Sequence, residues 1–364
     1  MKILHFSNRY WPAIGGVESV IANLCSELEK KKIQSDVLTL NRADGKKLKI
    51  KEKKGKTNIF RIPFFDLKYY KLSTIPFSLI KNYDIIHIHS IGFFSDVVLL
   101  TKFFHKKKII ISTNGGIFHT QNIAGIKKLY FYIIERLLLK NANKIIAISE
   151  NDKKLFEKIA KNVVLIEPGF SAPKITGKKE KNSFLTVGRL SKNKNIDGLI
   201  NAFAKLKCKY KLMVVGSDFD GLLPELKNKI KYLNLENDIY LQGAVTEKEL
   251  YKLYSKSEYF ISASRYEGFG ISAIEAMHFN CKCILNSIPT YKEFVDGGRG
   301  KLVHFDKKNI SIEIENAIKD KYDLKKSMEY ANNFLWHNKI KEFISTYNKV
   351  IADTNNPTKR EKVL

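Results

Sequence analysis

The fold of this chain is decided by the stretch Ser262-Ala-Ser-Arg-Tyr-Glu-Gly-Phe-Gly-Ile-Ser-Ala-Ile-Glu-Ala-Met277. The apolar run Glu258–Ser262 at its start has the character of a strand. After the two glycines, Ile271–Phe279 contains good helix formers and neither Gly nor Pro. The order strand, glycine turn, helix predicts a doubly wound α/β domain, in which ligands bind beyond the carboxyl ends of the strands.

The glycine turn predicts an anion site made of backbone amides. Gly268 and Gly270 have no Cβ, so the N–H groups of Phe269, Gly270 and Ile271 can approach a ligand closely. Unpaired amides at a helix N-terminus, together with the helix macrodipole, favour phosphate. We therefore predict that a phosphate group binds at Gly268–Ile271.

Two carboxylates flank the turn. Glu267 lies in it, and Glu275 follows eight residues later, an offset that returns to nearly the same side of a helix. Carboxylates repel phosphate, so their useful partners here are hydroxyl groups, and a sugar nucleotide carries both groups. The alternative is that Glu267 only complements the helix dipole and that Glu275 is a solvated surface residue.

This pair of glutamates resembles the E-x7-E motif of the family-4 retaining glycosyltransferases, and the resemblance extends from Met1 to about Val350. It implies the α/β GT-B fold, with two Rossmann-like doubly wound domains that face a central cleft and a C-terminal helix that crosses back to the first domain. It also implies transfer from a nucleoside diphosphate sugar, with retention through front-face attack and no protein nucleophile.

A second motif, Gly188-Arg-Leu-Ser-Lys-Asn-Lys194, follows the strand-like run Ser183–Val187. Arg189 can bind two oxygens of a diphosphate, and Lys194 adds a point charge. The resemblance assigns both residues to the pyrophosphate of the donor, although Lys192 competes with Lys194 for this role.

The resemblance also implies roles for the other candidate site residues. Glu275 would hold the ribose and Glu267 the hexose. Gly15 and Gly16, in the turn after the first strand, would shape the acceptor side, and His119 would contact the donor sugar or the reacting face. Within Thr113–Thr120, the local pattern looks most like the His-Gly-Gly-Phe-Phe-His-Thr run of the mannosyltransferases that build acetan- and xanthan-type repeat units.

This resemblance implies an enzyme that moves a hexose to a lipid-linked saccharide in surface polysaccharide or lipopolysaccharide synthesis. The sugar that fits the resemblance best is mannose, with GDP-mannose as its donor. The alternative is a UDP-sugar-dependent glycosyltransferase of lipopolysaccharide or capsule assembly. More distant alternatives are a sugar-nucleotide epimerase or a phosphorylase on the same architecture, and a nucleic-acid-binding module.

Composition predicts two domains. The chain has 364 residues, of which 44% are hydrophobic and 28% charged, and this length exceeds what one core normally holds. We predict an N-terminal domain over residues 1–168, a C-terminal domain over 169–337, and a crossover helix with a polar tail over 338–364. The linker would lie in the Pro- and Gly-containing segment 167–182.

Alternating strand and helix signals in the N-terminal half predict a parallel sheet. The helical segment Ile126–Lys140 lies between two of the strand-like runs. Strand-like runs occur at Lys2–Phe6, Ser35–Leu40, Asn58–Ile62, Asp84–His89, Lys108–Ser112, Lys144–Ile148 and Val163–Ile166.

The net charge of +27 predicts an anionic partner. Lysines at Lys46–Lys56 and aromatic residues at Phe64–Lys71 suit the anionic inner face of a plasma membrane, but they also suit RNA or a mobile, solvated loop. No apolar stretch reaches the length of a membrane span, and no signal peptide is apparent. We therefore expect a cytoplasmic protein, peripheral on the inner membrane, that binds no nucleic acid.

Three patterns could suggest a metal, and each has a simpler explanation. His87 and His89 end a strand without accompanying Asp, Glu or Cys ligands, and Cys281-Lys-Cys283 has no partners at zinc spacing. Asp218-Phe-Asp220 lies in the second Rossmann-like half, where Arg189 and Lys194 can neutralise a diphosphate without a cation. We expect neither a metal nor a cofactor.

Overall fold

A computed structural model of the chain describes residues 1–13, 15–43, 46–67, 70–114, 129–173, 175, 177–207 and 210–353. The first strand of the chain lies at the centre of an eight-stranded sheet. The described strands are β1 (Lys2–Ser7), β2 (Gln34–Leu40), β3 (Arg42–Ala43), β4 (Lys46–Lys47), β5 (Lys51–Lys54), β6 (Thr57–Ile62), β7 (Phe64–Leu67), β8 (Tyr70–Ser73), β9 (Ile85–His89), β10 (Lys108–Ser112), β11 (Lys144–Ala147), β12 (Val163–Leu165), β13 (Glu180–Val187), β14 (Lys211–Val215), β15 (Ile239–Gly243), β16 (Ser257–Ser262), β17 (Lys282–Asn286) and β18 (Gly300–Val303).

The described α-helices are α1 (Gly16–Lys30), α2 (Phe77–Ile80), α3 (Phe93–Leu100), α4 (Lys102–His105), α5 (Arg136–Leu138), α6 (Glu150–Phe156), α7 (Ile196–Phe203), α8 (Leu223–Tyr232), α9 (Glu247–Lys256), α10 (Ile271–His278), α11 (Pro289–Val295), α12 (Ile310–Lys319), α13 (Leu324–Asn332) and α14 (Trp336–Ala352). A π-helical turn (Phe131–Glu135) precedes α5, and 3-10 turns cover Leu139–Asn141, Lys192–Lys194 and Asp296–Gly298.

The chain divides into two compact units. The first comprises Met1–Gly169 together with Trp336–Leu364, and the second comprises Phe170–Leu335. Each unit has its own sheet and its own buried core, because helices cover the faces of a parallel sheet and bury its apolar strands.

The sheet of the first unit has the strand order β12-β11-β10-β9-β1-β2-β6-β5, and it is parallel except where β5 meets β6. Each predicted strand-like run overlaps one of its strands to within one residue at either end. The strand order reverses between β1 and β9, and His5 stands opposite His87 there. In such sheets, the loops that bind ligands follow the two strands between which the order reverses.

The lysine-rich segment 46–56 is not a loop, contrary to one of the expectations. Its β5 pairs antiparallel with β6 and forms the edge of the sheet. Exposed lysines on an edge strand repel a second strand and so protect the open edge from pairing with another chain. The aromatic segment that follows contains the antiparallel pair β7 and β8.

The C-terminal helix α14 packs on the first unit, as the fold prediction requires. Its apolar residues Trp336, Phe343 and Tyr347 lie in one buried cluster with Ile3 and other residues of β1, β9, β10 and β11. The spacing of seven and four residues between these side chains places them on one face of the helix. Trp336 is therefore a core anchor, and the indole packs so closely on Gly169 that a Cβ there would lie 2.6 Å from it.

The second unit has a fully parallel six-stranded sheet in the order β15-β14-β13-β16-β17-β18. Numbered from β13, this order is 3-2-1-4-5-6, that of dinucleotide-binding sheets. The order reverses between β13 and β16, so the loops after these two strands leave in opposite directions and open a crevice at their carboxyl ends.

The predicted helix Ile126–Lys140 is described only from residue 129 onward, where it contains a π-helical turn. Glu135 at the end of that turn is fully buried, and neither oxygen of its carboxyl group has a hydrogen-bond partner. Burial, reinforced by the nearby Asp96 carboxylate, raises the pKa of Glu135 to about 8. Glu135 therefore keeps its proton at neutral pH in the folded protein, and the need to take up this proton on folding reduces the free energy of unfolding at that pH.

Glu135→Gln should stabilise the protein increasingly as the pH rises. Because the folded-state pKa is raised from 4.5 to about 8, stability tied to this proton is present below about pH 4.5 and is lost as the pH rises toward 8. Glutamine does not titrate, so we expect a gain of roughly 3 kcal/mol near pH 7 and less than roughly 1 kcal/mol near pH 5. Urea unfolding across this range, with Glu157→Gln as the exposed control, measures it. A Gln variant no more stable than wild type at pH 8 would contradict this reading.

Candidate functional site

Two turns of the second unit meet where its strand order reverses. Gly188 and Arg189 follow β13, and the stretch from Ala263 to Gly270 follows β16. The backbone N–H of Arg265 donates to the carbonyl of Asn193 at 2.9 Å, and the side chain of Asn193 donates to the carbonyl of Tyr266 at 2.8 Å. These two hydrogen bonds fasten the turns to each other, so residues far apart in sequence form one site.

The turn after β13 depends on a close approach between two backbones. The N–H of Gly188 donates to the carbonyl of Val215 at 2.9 Å, and a Cβ on Gly216 would lie only 2.0 Å from the carbonyl oxygen of Gly188. Gly216 also has a φ of +151°, which side chains disfavour. Glycine at this position therefore brings the ends of β13 and β14 together beneath Arg189.

Arg189 presents its guanidinium at the surface of this turn. The side chain is exposed, and its Cζ lies 4.3 Å from the centre of the Phe219 ring. Stacking uses the flat face of the guanidinium, so its N–H groups at the edge remain directed sideways, where they can bind two oxygens of one ligand. Phe219 is a site residue that the sequence patterns did not indicate.

Lys194 lies against Glu267, with its Nζ donating to Oε1 at 2.5 Å. Both side chains are mostly buried, so this ion pair is shielded from solvent more than a surface pair. Lys192, the competing lysine, is exposed, and its backbone N–H donates to Asp220 at 2.9 Å. The geometry thus places Lys194, not Lys192, beside the predicted hexose carboxylate.

The glycine turn delivers the N-terminus of α10. Gly270 adopts the left-handed conformation with φ +86°, and a Cβ on it would lie 2.7 Å from the ring of Tyr291. The ring of Phe269 is buried against Phe294 and Phe334, which anchors the turn in the core of the unit. The first two amides of α10, those of Ile271 and Ser272, have no acceptor in a preceding helical turn and are available to an anion, whereas the N–H of Ala273 donates to the carbonyl of Gly270 at 3.0 Å.

A buried tyrosine holds Glu267 from the other side. The hydroxyl of Tyr291 donates to Oε1 of Glu267 at 3.2 Å and shares a 3.0 Å hydrogen bond with Ser262, while Thr290 donates to the carbonyl of Glu267 at 2.8 Å. Burial and the Glu267 carboxylate raise the pKa of Tyr291 well above its usual value, so it keeps its proton. Glu267 is therefore positioned by α11 and by Lys194.

Glu267 and Glu275 lie where the sequence places them, one in the turn and one on the helix, so a helical offset of eight residues does not describe their geometry. The helix α10 begins at Ile271, so Glu275 is on the helix and Glu267 is in the turn before it. Glu275 accepts a 2.9 Å hydrogen bond from Tyr254, whose position on α9 no motif reveals. Burial raises the pKa of Glu275 to about 7, and Glu247 adds to this rise.

The predicted residues of the first unit are only partly described. His119 lies outside the described residues. Gly15 and Gly16 stand where β1 passes into α1, with Gly15 as the extended residue in front of the helix. A Cβ on Gly15 would lie 2.3 Å from the carboxylate oxygen of Glu18, so a side chain there would displace the flexible end of Glu18.

The histidine pair gains a third member in the structure. His5 Nδ1 lies 3.0 Å from His89 Nε2, and His87 contacts Tyr347 and Ser112, each at 2.8 Å. Within the described ranges these three buried histidines are the one group of potential ligands close enough to share a metal ion. Burial lowers the pKa of all three below the usual value, so they are neutral. One hydrogen bond joins His5 to His89, and the other ring nitrogen of each of these two residues is buried without a hydrogen-bond partner.

The carboxylates of Asp218-Phe-Asp220 have backbone partners. Asp218 accepts from the N–H groups of Leu222 and Leu223 at 2.8 Å and 3.1 Å, at the start of α8, and Asp220 accepts from Lys192. These contacts give both aspartates a structural role.

Family models match both units of the chain. The model described as "Glycosyltransferase Family 4" matches residues 14–172, and the model described as "Glycosyl transferases group 1" matches residues 170–334. The two matches meet at the boundary between the units. The chain belongs to the family-4 glycosyltransferases.

Two relatives that align with nearly the whole of this family-4 glycosyltransferase share one name. The GDP-mannose:cellobiosyl-diphosphopolyprenol alpha-mannosyltransferase of Xanthomonas oryzae pv. oryzae is 28% identical, with 97% of this chain and 98% of the relative covered. The protein with the same name from Komagataeibacter xylinus is 26% identical, with 97% and 94% covered.

Solved structures establish the GT-B fold. The sucrose-phosphate synthase from Thermosynechococcus elongatus superposes with a TM-score of 0.78 at 18% identity, over 97% of this chain and 99% of that one. A glycosyltransferase from Rickettsia africae has a TM-score of 0.70 at 21% identity, over 96% and 98%. The predicted fold class is confirmed, and the protein is a glycosyltransferase.

The pKa of Glu275 predicts how donor binding by this glycosyltransferase depends on pH. A carboxylate accepts hydrogen bonds from two hydroxyl groups, and protonation removes part of that capacity. With a pKa of about 7, Glu275 becomes protonated as the pH falls from 8 to 6, so we expect sugar-nucleotide affinity to weaken several-fold over that interval.

Glu275→Gln should bind the sugar nucleotide more weakly at pH 8 and should lose this pH dependence. The exposed Glu329→Gln is the matched control and should follow wild type. Titration calorimetry at several pH values measures the effect, and a Gln variant with the wild-type pH profile would show that another group is responsible.

Proposed function

We propose that this glycosyltransferase moves mannose from GDP-mannose to a polyprenyl-diphosphate-linked saccharide, with retention of configuration, in the synthesis of a surface polysaccharide or lipopolysaccharide. The support is the set of relatives that share this activity in their names and align with nearly the whole chain. An O-antigen chain mannosyltransferase from Salmonella typhimurium, 28% identical over 215 residues, agrees in sugar and in type of product.

The observation that supports the mechanism is that the turn carrying Arg189 and Lys194 is fastened to the turn before α10, by the Lys194–Glu267 ion pair and by the hydrogen bond from Asn193 to Tyr266. As the sugar leaves, negative charge grows on the diphosphate. Two cations and fixed amide dipoles stabilise this charge without having to reorganise, which is the largest catalytic contribution we can name. Lys194 has three N–H donors, so it can serve the diphosphate and Glu267 together.

The two carboxylates would bind sugar hydroxyl groups. Glu275, held by Tyr254, would accept from the ribose, and Glu267, held by Tyr291 and Lys194, would accept from the hexose. His119 would contact the donor sugar or the reacting face, and Gly15 and Gly16 would shape the acceptor side. These assignments follow from the family motifs that the residues match.

We further propose that catalysis needs neither a metal nor a cofactor, because the cations of the second unit supply the positive charge that a metal would otherwise bring to the diphosphate. Among the described residues, no helix has both the length and the hydropathy required to cross a bilayer. We place the protein at the cytoplasmic face of the inner membrane, as a peripheral protein that binds no nucleic acid, because its net charge of +27 and a lipid-linked acceptor suit an anionic bilayer.

A second candidate is transfer of a different sugar to a similar acceptor, from a UDP-sugar. It is favoured by a relative from Campylobacter jejuni, 39% identical over 128 residues, which is named as an N-acetylgalactosaminyltransferase acting on a diphospho-undecaprenol saccharide. That match covers 34% of this chain, against 97% for the mannosyltransferases. The longer matches favour mannose.

A panel of radiolabelled sugar nucleotides tests the proposal. Purified protein, incubated with GDP-mannose and a lipid extract of its own host, should convert label into a lipid-linked product, and the product should depend on the extract. UDP-glucose, UDP-galactose and UDP-N-acetylgalactosamine are the matched controls. Turnover with UDP-sugars alone would overturn the mannose assignment, and conversion of the donor without an acceptor would indicate an epimerase.

A further inference from the structure

Two segments of the first unit expose large apolar side chains to solvent. In the first, α3 and α4 end in Leu100, Phe103 and Phe104, and the two phenylalanines are 81% and 76% exposed. In the second, residues 129–137 expose Leu129, Ile133 and Leu137, each by about half of its surface or more. Among the residues that the structure describes, eight of the seventeen exposed large hydrophobic side chains fall between positions 100 and 137, so they are concentrated in one part of the chain.

These two segments lie side by side. The side chain of Asn141 donates to the carbonyl of Leu99 at 3.3 Å, and Lys102 Nζ donates to the carbonyl of Asn141 at 2.5 Å. Tyr130, at the other end of the second segment, donates to Asp96 of α3, so both ends of this segment contact the first one. We therefore group their exposed side chains as one surface, which we call the apolar patch. It consists of Leu100, Phe103, Phe104, Leu129, Ile133 and Leu137.

The second segment is apolar on both sides, which is unusual for a helix at a protein surface. Phe131, Leu138 and Leu139 point inward and are buried in the core. The outward side would normally carry charged and polar residues, yet between residues 129 and 139 only Glu135 and Arg136 are charged. Patches of this kind mark a contact with a protein or a membrane.

The charges around the apolar patch have one sign. Lys102, Lys106, Lys107, Arg136 and Lys140 surround it in sequence and are at least partly exposed. The acids on the same segments are Asp96, which is buried and bonded to Tyr130, and Glu135, which is buried below the patch. Exposed apolar and aromatic side chains among cations are what an anionic lipid surface selects.

We propose that the apolar patch is the surface by which this protein docks on an anionic lipid bilayer. The inference rests on the proposed function in one respect, namely that an acceptor carried by a polyprenyl chain resides in such a bilayer. The apolar patch, and not the lysine-rich segment 46–56, is then the main contact with the bilayer, because that segment contains an edge strand and has few apolar side chains.

A second copy of this chain fits the apolar patch less well. Pairing two identical patches would also bring together their lysines and arginines, and like charges across an interface oppose association. A bilayer that contains anionic lipids has both an apolar interior for these side chains and a negative surface charge for the surrounding lysines and arginine.

Phe103→Gln with Phe104→Gln tests the proposal, because glutamine removes the apolar rings without changing the net charge or the buried core. Ile312→Gln is the matched control, since Ile312 is 56% exposed but lies on α12 of the second unit. Binding is measured by co-sedimentation with vesicles of phosphatidylethanolamine and phosphatidylglycerol, and with vesicles of phosphatidylcholine alone.

We expect wild type and Ile312→Gln to bind the anionic vesicles, and the double variant to bind at least about tenfold more weakly. The proposal is overturned if the double variant binds like wild type, if wild type does not bind, or if Lys51→Gln with Lys53→Gln abolishes binding instead. It is also overturned if sedimentation shows that the patch mediates a dimer.

The vesicle measurement needs no substrate, so it stands even if the donor proves not to be GDP-mannose. Where turnover is available, the double variant should retain wild-type turnover with a water-soluble acceptor that lacks the polyprenyl chain. It should lose turnover with the lipid acceptor in vesicles. Equal loss with both acceptors would mean that the phenylalanines serve the fold, and would contradict a docking role.

Discussion

One ion pair, between Lys194 and Glu267, determines the geometry of the site. It joins the turn after β13 to the turn before α10, the two loops that leave the sheet where the strand order reverses. The lysine fixes the carboxylate that we propose faces the hexose, and the carboxylate fixes the charge that we propose faces the diphosphate. Because both groups are mostly buried and Tyr291 holds Glu267 from behind, neither can move far without breaking a shielded contact.

Much of the fold could be predicted from the sequence, because its elements follow from local patterns. Apolar runs alternate with helical segments, and this pattern indicates a parallel sheet without any knowledge of distant contacts. The structure of the lysine-rich segment 46–56 is harder to predict, because its polar composition favours a loop and its strand β5 forms by pairing with β6 at the edge of the sheet. The start of α10 at Ile271 could be predicted, because the two glycines before it and the helix formers after it mark the boundary in the sequence.

The residues of the second unit that we propose contact the ligand follow from motifs, whereas the residues that hold them in place do not. Arg189 and Lys194 stand close to a strand end in the sequence, as Glu267 and Glu275 do. Tyr254 and Tyr291 come from α9 and α11 and reach those carboxylates only after the sheet has formed. Phe219 beneath Arg189 is similar. Such partners depend on tertiary packing, and a buried tyrosine looks like any other core residue in a sequence.

The measurement that tests the central claim most directly is calorimetric titration with a nucleoside diphosphate and with the corresponding monophosphate. In wild type the second phosphate should add at least about tenfold in affinity, the contribution of hydrogen bonds to a charged group. Lys194→Ala should lose most of that difference, whereas Lys192→Ala, two residues away and exposed, should keep it. If Lys194→Ala retains the wild-type preference for the diphosphate, the ion pair does not organise this site.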